Sequence, residues 1–314
     1  MHFSSYNSGI MENLQRYNHL NEYLKNKFGE RTLKICIDGG FTCPNRDGKI
    51  STGGCIFCSE RGSGEHLSVN LSITNQVQNY FKSYKATRAN KFIAYFQNYT
   101  NTYADAETLK TRYDSALIDN RIVALAIATR PDCITEEIAK LLQDYSKKYY
   151  VFVELGLQTA DENIATNINR GYTNEQFTNS VQILNKHNID VVTHIMVGLP
   201  GEKIESIEKT VGFLNKHSIQ GLKVHSCYVV KGTQLANMYE NDTYTPISLE
   251  YYLEQLAYII THIEPKVIIH RISGDAPKDL LLAPEWNLHK KWIMNGFDKI
   301  MRERDLYQGM YFNT

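Results

Sequence analysis

At 314 residues the chain is long enough to bury a large core, as one α/β domain with extensions or as two modest domains. Lys and Arg together number 34, as do Asp and Glu, so there is no global basic field of the kind that announces a nucleic-acid binder; Lys82, Lys85, Arg88 and Lys91, and the pair Lys290 and Lys291, read first as solvated helix faces. No apolar run approaches the ~18 residues of a membrane span and the N-terminus lacks the apolar core of a secretion signal, which predicts a cytoplasmic protein with no membrane partner, whose clustered cysteines are metal ligands or redox groups rather than disulfides.

An N-terminal extension over 1–31 precedes the first strand-like run, TLKICID at 32–38. The loop after it, TCPNRDGKISTGGCIFC, carries Cys43, Cys55 and Cys58 among Gly48, Gly53 and Gly54. Strand-like runs return at 91–97, 122–129, 149–157, 190–199 and 221–230, and the segments 135–148 and 173–187 between them have helical composition, each opening on a threonine suited to N-capping. Strand and helix in six-fold alternation predict a parallel sheet curving toward a partial (β/α)6 barrel over 32–232. After Val230 the rhythm breaks. A helical stretch near 248–263, a strand-like KVIIHRI at 266–272, the turn SGDAPKD and a helical tail from Trp286 read as a C-terminal extension, 233–314, that closes the barrel or contacts substrate.

The strands carry polar residues at one parity. Lys34, Cys36 and Asp38 alternate with Leu33, Ile35 and Ile37; Glu154, Gly156 and Gln158 with Val153, Leu155 and Leu157; Lys223, His225 and Cys227 with Leu222, Val224 and Ser226; His194 shares a face with Val192 and Met196. Helices cover the greasy parity, so the polar parity lines a lumen suited to a polar ligand. The cysteine loop then sits at the C-terminal edge of the sheet, where α/β folds place their sites. Four thiolates close a tetrahedral zinc site, and Cys36 is the available fourth; three thiolates leave one iron of a cubane [4Fe–4S] cluster without a protein ligand. The residues alone leave both arrangements open. Taken singly, Cys36 also reads as a small buried residue, His194 as a core histidine, and Glu154 with Arg170 as an ion pair.

With the C-x11-C-x2-C spacing and Phe57 ahead of the last cysteine, the loop resembles that of the radical S-adenosylmethionine (SAM) enzymes, in the expanded form of the Elp3-like branch. ATRPD (128–132), ELGLQTA (154–160), INRGYT (168–173), HIMVGLPGE (194–202) and VVKGTQL (229–235) are similar, in the same order, to that branch's strand ends. DGGFTCPNRDG, GCIFCSERGSGEH, FQNYTNTYA and HRISGDAPKDLLLAPEW further resemble the YtqA-like (MnmL) family.

The resemblance implies that Cys43, Cys55 and Cys58 bind a [4Fe–4S] cluster and that SAM completes the fourth iron, to be cleaved reductively to a 5′-deoxyadenosyl radical. It implies SAM contacts at Phe57, Gln97, Glu154, Gln158, Arg170 and His194, with Arg170 on the SAM carboxylate and the backbone at Gly198 near adenine. Cys36 is a candidate catalytic thiol. The implied substrate is the anticodon loop of tRNA, where 5-carboxymethylaminomethyluridine 34 becomes 5-aminomethyluridine. A flavodoxin- or ferredoxin-type electron donor and a downstream tRNA methyltransferase are the implied partners. Radical SAM chemistry on a small molecule or peptide, and a non-catalytic zinc-stabilised nucleic-acid-binding protein, are the alternatives.

Overall fold

The computed structural model describes residues 15–312 apart from 63, 65, 66, 68 and 69, so residues 1–14 of the predicted N-terminal extension and part of SERGSGEH lie outside the described residues. Seven parallel strands form one sheet in the order β1 (Thr32–Ile37), β2 (Lys91–Phe96), β3 (Ile122–Thr129), β4 (Tyr150–Gln158), β5 (Asp190–Val197), β6 (Gly221–Ser226) and β8 (Ile268–Arg271), curled into a half-barrel. The strand between the last two, β7 (Val229–Val230), pairs antiparallel with β9 (Leu281–Ala283) in a separate ribbon. The helices are α1 (Leu20–Phe28), α2 (Ile73–Lys82), α3 (Ala106–Asp114), α4 (Glu136–Ser146), α5 (Glu162–Asn167), α6 (Asn174–Lys186), α7 (Ile204–Leu214), α8 (Gln234–Glu240), α9 (Leu249–His262) and α10 (Lys290–Glu303).

Two sequence expectations are corrected here. The run 221–230 is not one strand: it breaks after Ser226, and Cys227 leaves the lumen face to join a buried cluster with Leu199, Val229 and Tyr244. KVIIHRI is the seventh strand of the same sheet, pairing with β6 from Gly221↔Ile268 onward. The sheet therefore has seven strands, not six. The seventh was hard to recognise because two helices and the β7 segment intervene, which hides the strand-helix-strand rhythm.

The alternation of parity does the architectural work. Ile35, Ile37, Phe92, Leu125, Val153, Leu155, Val191 and Val224 face outward and pack under Leu109, Leu142, Phe177, Leu184, Val211 and Leu256 of the helices. Each such side chain contributes on the order of 1.5–3 kcal/mol by leaving water. Thr135 and Thr173 cap α4 and α6 as expected, Thr173 in a reciprocal box with Gln176. The inner face is apolar only at the bottom. There α1 lies against β1 and β8 and sets Leu20 and Leu24 on Ile93, Phe152, Val192 and Ile268, while a bridge from His19 to Ile269 continues the sheet pattern past β8. This plug leaves the polar lumen opening toward the C-terminal strand ends. Among the described residues no helix is long and apolar enough to cross a membrane.

Candidate active site

Glu154, at the middle of β4, is the centre of the lumen. Its side chain is fully enclosed, and a carboxylate so placed requires cations and donors. Oε1 accepts from Lys34 of β1 at 3.1 Å; Oε2 accepts from Lys223 of β6 at 2.5 Å, from the Tyr95 hydroxyl of β2 at 2.5 Å and from His194 of β5 at 3.1 Å. Five strands of the sheet span this network. Burial opposes the charge on Glu154, yet Lys223, Lys34 and His194 together hold its pKa well below the ordinary carboxylate value. Burial draws Lys223 down to about 7 against the attraction of Glu154, and burial followed by repulsion from Lys223 draws His194 down to about 4. His194 is therefore a neutral ring at pH 7, donating its Nε2–H, because an ionised carboxylate can only accept. The His225 ring stacks on it at 5.4 Å. Cys36 faces the same chamber, its thiol pushed upward by burial while Lys34 and Lys223 favour the thiolate.

Above this chamber lies the cysteine loop. Arg46 clamps it by donating to the carbonyls of Cys58 at 2.8 Å and Ser59 at 2.6 Å, in space left because residue 54 is glycine: a Cβ there would stand 2.8 Å from Arg46 Nε, on a backbone at φ 72°. Asn45 bonds the carbonyl of Asn169 at 2.7 Å, and Asn169 bonds that of Gly54 at 2.7 Å, so the INRGYT segment is the bed on which the loop rests. Burial, then the neighbouring Cys58 and, further down, Cys43, push Cys55 up to about 12. Three thiols thus share one enclosed neighbourhood in which thiolates call for a cationic partner. Among the described residues no three Cys, His, Asp or Glu side chains converge tightly enough for one ion, and Cys36 lies in the lumen, not with the loop thiols. A cubane takes one thiolate at each of three corners, and this spread donor set fits it. On the adjoining loop after β2, Asn98 Oδ1, Thr100 Oγ1 and Asn101 Oδ1 are buried acceptors with no partner among the described residues, which suits a ligand's ammonium group.

Several expected cofactor contacts are already committed within the protein. Arg170 is fully buried and spends all five donors: on the carbonyls of Tyr172, Leu157 and Thr159, on Glu162 and on Asn174. None is left for a SAM carboxylate, and its ion-pair partner is Glu162 rather than Glu154. Arg170→Ala is expected to cost about 3–5 kcal/mol by stranding three buried carbonyls, read as a lower denaturation midpoint. Glu154 is committed at Oε2, which takes three donors, while Oε1 accepts only from Lys34. At Gly198, with φ 92°, a Cβ would meet Ile247 at 2.8 Å; the N–H goes to Glu202 at 2.5 Å and the carbonyl accepts from Tyr244 at 2.7 Å. Gln158, at φ 61°, accepts from the Tyr172 hydroxyl at 2.7 Å. Gln97 sits at the edge just after β2, its N–H directed to Ile37, and Phe57 packs beside Ile56, Leu199 and Cys227.

Burial lifts the Glu202 carboxyl from 4.5 to about 7. A raised folded pKa gives stability that is complete below the unfolded value and lost as pH rises through about 7. Glu202→Gln should therefore match the parent near pH 4.5 and melt a few degrees higher at about pH 8 by calorimetry.

Sequence reading placed Lys34 and Lys223 on the lumen face without assigning them roles, and it passed over Tyr95. The missing step was charge pairing: a carboxylate at a buried parity demands cations at the same parity on neighbouring strands.

Residues 45–214 match the Radical SAM superfamily and residues 219–303 the Radical_SAM C-terminal domain. The chain is 35% identical over 302 residues to the uncharacterized protein YtqA of Bacillus subtilis (strain 168), covering 95% of this chain and 93% of that one. A stretch covering 52% of the chain is 30% identical to 30% of the tRNA uridine(34) acetyltransferase of Methanocaldococcus jannaschii. The solved archaeal Methanocaldococcus infernus Elp3 with N-terminus deletion superposes with a TM-score of 0.67 at 19% identity, over 88% of this chain and 64% of that one. The half-barrel, the edge loop with its three thiols and these matches lead to one conclusion: the chain belongs to the radical SAM superfamily, whose members use a [4Fe–4S] cluster and SAM, and is an enzyme.

Proposed function

We propose that this enzyme acts on the wobble uridine 34 of tRNA, converting the 5-carboxymethylaminomethyl side chain to 5-aminomethyl. The observation that carries the reading is the likeness over half the chain to a protein named for tRNA uridine 34, within a likeness to YtqA over nearly all of it. Cys43, Cys55 and Cys58 would hold the cluster, and the free acceptors of Asn98, Thr100 and Asn101 would receive the SAM amino group. When bound, the cluster and SAM supply a 5′-deoxyadenosyl radical.

The chain's own residues provide the rest. Phe57 and its apolar neighbours limit water at the edge loop. The α1 plug seals the chamber floor, and Glu154 with its four partners fixes a chamber wall. Cys36 is poised in that chamber as a hydrogen or proton donor. On the substrate, the methylene between nitrogen and carboxylate yields a stabilised radical when one hydrogen atom is removed. Loss of one electron to an external carrier gives an imine, and water releases the 5-aminomethyl group and glyoxylate. The region from residue 233 onward, with Arg271 and Lys290 both paired to Asp275 at the lumen rim, is assigned to tRNA contact.

The test is anaerobic reconstitution with iron and sulfide, reduction, and measurement of 5′-deoxyadenosine with and without tRNA. Stimulation by tRNA bearing 5-carboxymethylaminomethyluridine, with appearance of the 5-aminomethyl nucleoside, is the expected result, and binding should weaken as salt rises. SAM turnover indifferent to tRNA, or tRNA binding insensitive to salt, would transfer the reading to a small-molecule or peptide substrate.

A further inference from the structure

We propose that the lumen floor is a built anion site and that Lys223 and Lys34 receive the carboxylate of the substrate side chain. The inference rests on the wobble-uridine reading and names the group of that substrate which the chamber recognises.

Three observations carry it. The first is charge: the chamber holds one carboxylate, Glu154, against two ammonium groups, and its histidines are neutral, since burial lowers His194 to about 4 and holds His225 and His270 well below their ordinary value. One ammonium lacks a full counter-charge: for Lys223, burial first and then repulsion from Lys34 and Arg271 outweigh the attraction of Glu154. The second is unspent donors. Lys223 uses one N–H on Glu154 and one on Tyr95, at 3.2 Å, leaving a third; Lys34 uses one on Glu154 and otherwise rests over the Tyr95 ring at 4.5 Å, leaving two. His225 Nε2 is buried beside them with no partner among the described residues. An anion among these groups would receive the donors and the positive charge that the protein itself leaves unmatched.

The third is depth. Lys34 stands three residues before the end of β1, and Lys223 three before the end of β6, which places both about 10 Å below the strand ends from which the cysteine loop springs. A group bound by these lysines hangs beneath whatever is held at the edge. For a 5-carboxymethylaminomethyl side chain this places the carboxylate lowest and the adjacent methylene, the bond to be broken, nearer the edge. Arg170, the arginine expected to bind a carboxylate, is committed to the protein, and the two lysines supply the cations it cannot.

The experiment is calorimetric binding to the reconstituted enzyme of two free nucleosides, 5-carboxymethylaminomethyluridine and its neutral carboxamide analogue, with 5′-deoxyadenosine and methionine present. The parent should favour the carboxylate by at least tenfold. Lys223→Met should reduce the preference to below twofold. Lys34→Met should weaken the preference, and Lys223→Arg, which keeps the charge should the methionine variant fold poorly, should retain most of it. Equal binding of the two nucleosides by the parent overturns the anion site, as does a preference undiminished in Lys223→Met, even where the modified tRNA is turned over and the proposed function stands. A preference that depends on Lys223 in an enzyme that leaves the modified tRNA untouched supports the site and removes the wobble-uridine reading.

Discussion

Cys55→Ala is expected to lose iron, sulfide and SAM cleavage together, to background, while the polypeptide still folds. The loop is held by contacts that owe nothing to this thiol. Arg46 bonds the carbonyls of Cys58 and Ser59, Asn169 bonds Gly54, and Ile56 N–H bonds the carbonyl of Ile168 at 3.1 Å. Removing one sulfur leaves this lattice in place but opens a second corner of the cluster, where two thiolates no longer secure it. Metal analysis and 5′-deoxyadenosine assay on anaerobically reconstituted protein read both losses, and a melting curve of the apo forms reads the fold. The paired control is Cys36→Ala. It should keep its iron, because Cys36 lies among the lumen lysines, and show its effect in product formation alone. Iron retained in Cys55→Ala, or lost in Cys36→Ala, would mean that the ligand set is wrong.

Glu154→Ala should be the most destabilising single change, at about 3–5 kcal/mol, because it leaves two buried cations facing each other. The deficit carries a signature in pH. In the parent, Lys223 already has a depressed folded pKa, near 7 against 10.5 unfolded, so its contribution to stability is present at high pH and is lost as pH falls through the folded value. Without Glu154 that folded pKa falls further, and Lys223 sheds its proton to relieve Lys34. The deficit relative to the parent should therefore be steady from about pH 7 to 10, where Lys223 is neutral in both folded proteins, and widen as pH falls below 7, where only the parent's Lys223 takes up its proton. Denaturation followed across that range checks the slope. A deficit independent of pH would show that Lys223 is not the group left exposed.

The fold was legible because it rests on repetition. Parity along β1, β4 and β6 told the lumen face from the helix face, and threonines at 135 and 173 marked helix starts that the chain uses. The seventh strand escaped because its crossover is long. At the site the motifs were legible as text, while their mechanical role was not. Arg130 of ATRPD forks onto Asp132 and donates to the carbonyl of Arg170; Arg170 of INRGYT gathers the end of β4; Asn169 supports the cysteine loop. These segments brace one another, and a side chain absorbed in bracing has nothing left to offer a ligand. Composition cannot distinguish an arginine that binds from one that buttresses. Only a count of its donors does.

The seat of the first helix has a consequence for how the molecule is made. His19 and Asn18 meet Ile269, and α1 cannot cover Ile268 until that strand exists. Ribosomes add roughly 5–20 residues per second, so the helix waits about 10–50 s for its partner. Through that interval Ile93, Phe152 and Val192 line an uncapped trough, and the amphipathic helix that will cover them is tethered at the far end of the nascent chain. Closing a loop of this span costs entropy that local contacts cannot offset, which makes seating of the helix a late event. The newborn protein thus spends its most adhesive moments with the floor of its reaction chamber open to the cell, a natural point of engagement for chaperones.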